Sequence, residues 1–470
     1  MTNSAIEVPV LDEVPVEQAG DHVEILAPPK HQPASSGVIW LSLTVFLPAA
    51  ICFFIGNITN GTLLPWMALH HLMYASNAAL GASSEKTVVF LLSPFKSALY
   101  FFASACLLVP VGLRVRSRLA SFLSRKDYLQ TIGSMAAALA LTATIFPLSF
   151  GRSYARISTD PFNQDVGQLY RRLLEPALAY LYHLDGFLFI LVAWGFVFLA
   201  ALLVKAYLKS KFIFPSSLEE VSFLTVGIFA SSYQCPGYSE ILVLSFALVA
   251  LFEFEEHGKF TNPCLMCFAL SLMAHESVAV LIFIPMLLVY FGRPSWHKAG
   301  AMMGIYLFSL FANFGFHAEI PFRVQAMISD VPANFYFHHY PTRVVAAWLL
   351  AFKGIWVLVA VGLWQMWKRD RRSMWFCMLT IAFATASTYI AVDYTRMIEL
   401  ATLGVLVCLV SARKYLWPPL FTGIVALNLL VPSFYMGGNS GLITFRGLYY
   451  QVYRHVLPLP PPEQTNSGTR

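Results

Sequence analysis

Charge is scarce in this chain. Only 12% of its 470 residues are Asp, Glu, Lys or Arg, while 57% are hydrophobic and the mean hydropathy is +0.63. A soluble domain carries roughly 25% charged residues, so the composition points to lipid rather than water as the main solvent. Cysteine is sparse too: Cys52, Cys106, Cys235, Cys264, Cys267, Cys377 and Cys408 are scattered, mostly inside apolar stretches, and no disulfide framework is expected. Cys264 and Cys267 form a CxxC, but in an apolar helix with no second pair they read as packing residues rather than zinc ligands. The adjacent pairs His70–His71 and His338–His339 lack the i, i+4 spacing of a helical zinc site. The first 37 residues lack the basic start and apolar core of a signal peptide; Glu7, Asp12, Glu13, Glu17, Asp21, Glu24 and several prolines mark them as a disordered tail. No internal repeat suggests the two-fold construction of many transporters.

What the chain has is apolar runs long enough to cross about 30 Å of hydrocarbon. They fall at 38–55, 92–113, 129–149, 184–206, 218–232, 238–254, 299–316, 343–366, 374–392, 396–411 and 417–434, with a further run at 263–291. The expected fold is all-α: a polytopic integral membrane protein of about 11–13 membrane segments. The net charge of +6 does not point to nucleic acid, because Lys and Arg are dispersed among short loops. The clusters "RVRSRLASFLSRK" (114–126), "KAYLKSK" (205–211), "KRDRR" (368–372) and "ARK" (412–414) read as cytoplasmic topology signals. With the amino-terminus inside, all four share the cytoplasmic side only if 263–291 enters and leaves by the same face. A broken or re-entrant hairpin is therefore expected there, meeting at "AHES", His275 and Glu276. Burying a charged side chain at mid-bilayer costs about 2.5–3.5 kcal/mol, and non-helical backbone at that depth needs protein or a wet cavity around it. A hidden helix at 64–83 would restore the opposite parity.

The same parity sends four polar stretches outside: 151–186, 233–240, 316–343 and 393–396. The first begins polar and becomes an amphipathic helix, with Leu169, Leu173, Leu174, Ala177, Leu178 and Leu181 at helical spacing, suited to the membrane interface. Together these stretches supply Asp160, Asp165, Arg171, Arg172, Tyr238, Glu240, His317, Glu319, Arg323, His338, His339, Arg343, Asp393 and Arg396. Arginine grips phosphate bidentately, and a neighbouring carboxylate can take a proton from an attacking hydroxyl, so the inventory suits group transfer from an anionic lipid-linked substrate. Each feature also has a plainer role. Asp160 before Pro161, and Asp165, suit helix N-caps; Arg171 and Arg172 can snorkel to headgroups; His275 and Glu276 can pin the hairpin; Asp393 and Arg396, at i and i+3, can form a private ion pair.

The acidic loop "DPFNQDVGQLYRRLLEPALAYLYHLDG" (160–186), the break "MAHES" and the late "DYTR" resemble GT-C-type integral membrane glycosyltransferases. The resemblance spans residues 129–411. It implies sugar transfer from a polyprenyl-phosphate-linked donor on the outer face of the membrane, for synthesis of a cell-envelope glycan. It makes Asp160 or Asp165 the catalytic base. The first outer segment, 56–91, departs from the pattern: it carries only Glu85, where many members have an acidic pair.

The expected organisation is a disordered cytoplasmic tail (1–37), an N-terminal transmembrane hairpin (38–128), a GT-C-like core (129–434) with outer loops 150–183 and 317–342, and an outer tail (435–470). The expected location is the cell inner membrane. The catalytic candidates are Asp160, Asp165 and Glu276; the substrate-binding candidates are Arg171, Arg172, His275, Asp393, Arg396, Tyr238 and Arg343. No metal ligand is assigned, although a divalent cation such as Mg or Mn is compatible with carboxylates beside a phosphate. The expected partners are a polyprenyl-phosphate-linked sugar and membrane lipid, not nucleic acid. Two rival classes stay open: a secondary transporter or proton-coupled carrier using the buried acids as relay groups, and a polysaccharide polymerase or ligase, or a non-catalytic scaffold.

Overall fold

A computed structural model describes residues 84–142, 150–159, 161, 172, 174–234, 236–290, 297, 299–300, 340–389, 393–431, 433–437, 441–444 and 448. Among these, sixteen α-helices follow one another. They are α1 (Ser84–Phe122), α2 (Arg125–Thr142), α3 (Phe150–Thr159), α4 (Leu174–Leu181), α5 (Phe189–Ser210), α6 (Ser217–Leu224), α7 (Gly227–Gln234) and α8 (Glu240–His257). Then come α9 (Asn262–Ala274), α10 (Glu276–Val289), α11 (Tyr340–Phe352), α12 (Ile355–Arg369), α13 (Arg371–Ser387), α14 (Tyr394–Glu399), α15 (Thr402–Tyr415) and α16 (Pro418–Leu427). The fold is helical, as expected. The segment expected only as an outer tail opens with one small antiparallel hairpin, β1 (Phe434–Gly437) and β2 (Gly441–Thr444), with Phe434 opposite Thr444. The backbone N–H of Met436 anchors it by donating to Thr395 Oγ1 at 2.8 Å.

Helix α8 is the axis. Every residue from Glu240 to Phe254 is buried, as expected for a helix apolar on all sides. Its two ends differ in chemistry. At the carboxyl end Arg118 meets Glu253 and Glu256, Lys211 meets Glu255 at 2.7 Å, and Phe254 stacks on Tyr290 at 4.9 Å. Arg372 donates to the Tyr290 carbonyl at 2.5 Å, and Arg369 to the Tyr415 hydroxyl at 3.1 Å. Three of the basic clusters thus gather directly at one end of the bundle. The fourth joins through Arg413, which faces Glu219 at 3.7 Å.

The run 263–291 is broken where the sequence places the break. His275 is extended (φ −162°, ψ 100°) between α9 and α10. His275 lies 3.6 Å from Glu240, at the amino end of α8, whereas Tyr290 stacks on Phe254 near the carboxyl end. Asn262 follows the carboxyl end of α8 by a short turn, so the pair rises along α8 and returns: a helical hairpin with His275 at its tip. From Glu240 to Phe254 is 14 helical steps, about 21 Å at about 1.5 Å per step.

Three other apolar runs expected as continuous spans are also interrupted. The run 218–232 divides at Thr225–Val226 into α6 and α7, because Gly227 has φ +58° and a Cβ there would meet Phe352 and Thr402. The run 343–366 bends by 85° between α11 and α12 at Lys353, whose φ is +49°. The run 396–411 divides at Leu400–Ala401. Side chains and backbone knit these breaks together, which is how such interruptions are accommodated. Ile228 N–H donates to Thr402 Oγ1 (3.2 Å), Gly354 N–H to Asn428 Oδ1 (2.8 Å), and Ser433 Oγ to the Thr225 carbonyl (2.8 Å). Lys353 Nζ donates to the Val431 carbonyl (2.7 Å) and to Ser433 Oγ (2.9 Å).

Among the described residues, Gly186–Ser210 is a single helix long and apolar enough to cross a membrane, and the bent pair α11–α12 passes the same test taken together.

Candidate functional site

The tip of the α9–α10 hairpin, the head of α8 and the start of α14 meet in one buried polar cluster. His275 caps α10: its Nδ1 accepts the Val278 N–H at 3.5 Å. That bond assigns the ring proton to Nε2, which faces Glu240 Oε1. Arg396 Nε approaches the same Oε1 at 3.2 Å, while its Nη1 meets Asp393 Oδ2 at 2.9 Å. The guanidinium lies 4.3 Å from the Tyr238 ring centroid, a cation–π stack. Among the described residues neither oxygen of Glu240 has a hydrogen-bond partner, although Glu240 is only 1% exposed. Oε1 is the oxygen that faces the two cations, and among the described residues Oε2 is left for an incoming donor.

Helix α4 contributes Glu175. It is 1% exposed, neither carboxyl oxygen has a hydrogen-bond partner among the described residues, and it lies in electrostatic range of Glu240. Burial, reinforced by Glu240, pushes its carboxyl up to about 8, so it is protonated at neutral pH. Arg172, just before this helix, also acts on Glu240 and donates to the Tyr154 hydroxyl at 3.4 Å. On the other side Glu399, 2% exposed, lies in reach of the Ser231 hydroxyl and of the fields of Arg396 and Lys353.

Arg396 thus joins Asp393 and Tyr238 directly, and His275 joins them through Glu240. Arg172 flanks them, and Arg343 lies in electrostatic range of buried Tyr394, next to Asp393. The Asp393–Arg396 pair is not private, since Glu240 shares the arginine. Glu276 opens α10 with its backbone; its side chain, together with Asp160, Asp165, Arg171, His317, Glu319, Arg323, His338 and His339, lies outside the described residues. The 174–181 helix departs from the interfacial expectation: Leu174, Glu175, Pro176, Ala177 and Ala179 are buried, and Leu181 is exposed at its end. Its apolar face packs on protein, and this carries Glu175 inward. Glu175 and Glu399 were passed over because each is a single acid in an apolar stretch, "LLEPAL" and "RMIEL". That isolation was itself the usable signal.

At the opposite end a cavity of about 60 Å³ is lined by Lys205, Glu219, Glu220, Phe223, Arg413 and Phe421, among others. Its acids are engaged: Lys205 pairs with Glu220 at 3.0 Å, and Thr422 donates to Glu219 at 2.7 Å. Cys264 and Cys267 are free thiols buried in the core, Cys264 donating to the Ala250 carbonyl at 3.5 Å, which suits packing.

Comparison of the chain with known protein families, with curated proteins and with solved structures finds no match.

Proposed function

We propose that the chain is a polytopic integral membrane enzyme that transfers a sugar from a polyprenyl-phosphate-linked donor to an acceptor at the non-cytoplasmic face of the membrane. The membrane reading rests on the apolar runs and on the outward faces of α11–α13, where Val345, Leu349, Val357, Trp364, Trp367 and Trp375 are exposed. A water-facing surface avoids such a run of large apolar side chains. It rests also on the gathering of the basic clusters at one end of α8, with the Glu240–His275–Arg396 junction at the other.

The observation that carries the catalytic reading is the Glu240–His275–Arg396 junction, with one oxygen of Glu240 unengaged and Glu175 beside it. In the proposed step the acceptor hydroxyl oxygen attacks the anomeric carbon. The bond from that carbon to the phosphate oxygen breaks, and the electron pair leaves with the lipid phosphate. The hydroxyl proton passes to Glu240 Oε2, while Arg172 and Arg396 supply positive potential for the phosphate. Asp160 and Asp165 are the base that the GT-C resemblance implies. A divalent cation is not required by this scheme.

The test is transfer of radiolabelled sugar in proteoliposomes, from a panel of prenyl-phosphate-linked hexoses and pentoses. Glu240→Gln is expected to abolish transfer while inserting normally, and Asp160→Asn and Asp165→Asn test the alternative base. A second reading draws on the sequence of buried ionisable groups Glu175, Glu240, Arg396, Glu399 and Lys353, which suits a proton relay in a carrier. It predicts substrate-driven proton flux, lost in Glu240→Gln, and no sugar transfer.

A further inference from the structure

Glu175 stands apart from the other buried acids. Glu240 faces Arg396 and His275 and Glu399 lies in reach of the Ser231 hydroxyl, but among the described residues neither oxygen of Glu175 has a hydrogen-bond partner or a facing cation, at 1% exposure. An unsatisfied buried polar group costs about 1–3 kcal/mol, a cost that water, an ion or a ligand can relieve. Among the described residues, the elements packed on α4 offer little to neutralise a charge there. From α3 comes the Tyr154 hydroxyl, which accepts from Arg172, while Arg152 and Arg156 are exposed. The facing turns of α5 are apolar (Phe189, Ile190), and its lysines lie at the far end. Helix α9 brings only His275, at its tip, and α8 brings Glu240.

We propose that Glu175 is a proton-gated contact for the donor's phosphate: protonated, it donates a hydrogen bond to a phosphodiester oxygen held beside Arg172; ionised, it repels that anion. The inference rests on the lipid-phosphate reading and specifies its substrate class, a singly charged phosphodiester headgroup. A neutral carboxyl donates to such an oxygen, whereas a second carboxylate beside Glu240 adds like charge in a poorly solvated pocket. The proton stays on Glu175 throughout, and no covalent step is involved. Because burial pushes this carboxyl up to about 8, binding holds through neutral pH and weakens above it.

The test uses the full chain in nanodiscs and a prenyl methyl phosphodiester as probe, whose single charge does not change across the range. Binding is measured by calorimetry from pH 6 to 9.5. Wild-type affinity is expected to fall roughly tenfold between pH 8 and 9.5, and Glu175→Gln is expected to bind at neutral pH within a few-fold of wild type and to lose that fall. Infrared titration of the wild type is expected to show a protonated-carboxyl band disappearing around pH 8; its absence overturns the proposal whether or not the variant folds. Wild-type binding that is flat with pH overturns the proton gate and leaves the lipid-phosphate reading standing. No binding at any pH overturns both.

Discussion

Replacing Arg396 by Gln should expose how much of the fold depends on the cluster. The guanidinium is 7% exposed, faces Glu240 at 3.2 Å and stacks on Tyr238 at 4.3 Å. Removing one partner of a buried ion pair costs about 3–5 kcal/mol, because the other charge stays buried and uncompensated. The stack adds about 1 kcal/mol. Asp393, with a quarter of its side chain exposed, keeps water and adds about 0–1 kcal/mol. The expected total is about 5 kcal/mol. Glu240→Gln alone should cost less, since Arg396 retains Asp393 and Tyr238. In the double variant the uncompensated charge is gone, so the two losses should fall short of additivity by about 2–3 kcal/mol. Reversible SDS unfolding in bicelles, followed by tryptophan fluorescence, measures all four corners of this cycle. Additive losses within about 0.5 kcal/mol would refute the pairing.

Gly227→Ala should destabilise by more than 1 kcal/mol, because at φ +58° the added Cβ meets Phe352 at 2.7 Å and Thr402 Oγ1 at 2.8 Å; the same unfolding assay reads it. Gly362→Ala should push α12 off α15, since its Cβ would collide with the Cys408 backbone, with a loss of about 1–3 kcal/mol. Asp127 sits in a pocket whose burial alone would raise its carboxyl. Hydrogen bonds from Lys209 and Ser124 outweigh that and hold it at about 2, below its ordinary 3.8. A depressed carboxyl stabilises the fold above 3.8 and loses that contribution as pH falls through about 2, so Asp127→Asn should flatten the acid limb of the stability profile. Glu175 has the opposite sign. With its carboxyl raised from 4.5 to about 8, wild-type stability should decline as pH rises across that interval, by at most about 5 kcal/mol. Glu175→Gln should be flat there.

The helical hairpin was legible in the sequence because topology is an arithmetic of charges: four basic clusters could share one side only if 263–291 turned back, and His275 marked the polar tip. His275, Tyr238, Asp393 and Arg396 were legible for a related reason, as polar groups beside apolar runs. The breaks at Thr225–Val226, Lys353 and Leu400–Ala401 were not. Hydropathy integrates over a window and is blind to a local φ of +49° at Lys353, whose stability comes from partners 78 and 80 residues away, Val431 and Ser433. The inward face of 174–181 was misassigned for a similar reason. Leucines at helical spacing specify an apolar face without specifying whether lipid or protein covers it. Here α3, α5 and α9 pack against the helix, and Glu175 is carried in with it.

The central claim is that α4, the tip of the hairpin and the start of α14 form one site for a lipid-linked phosphate. Photocrosslinking with a benzophenone-tagged prenyl phosphodiester, followed by peptide mapping, tests it most directly. Label in the peptides that carry Arg172–Glu175, Tyr238–Glu240, His275 and Asp393–Arg396, competed by untagged probe, is the predicted result. Label confined to the cavity at Lys205, Glu219 and Arg413, or spread without competition, would contradict it.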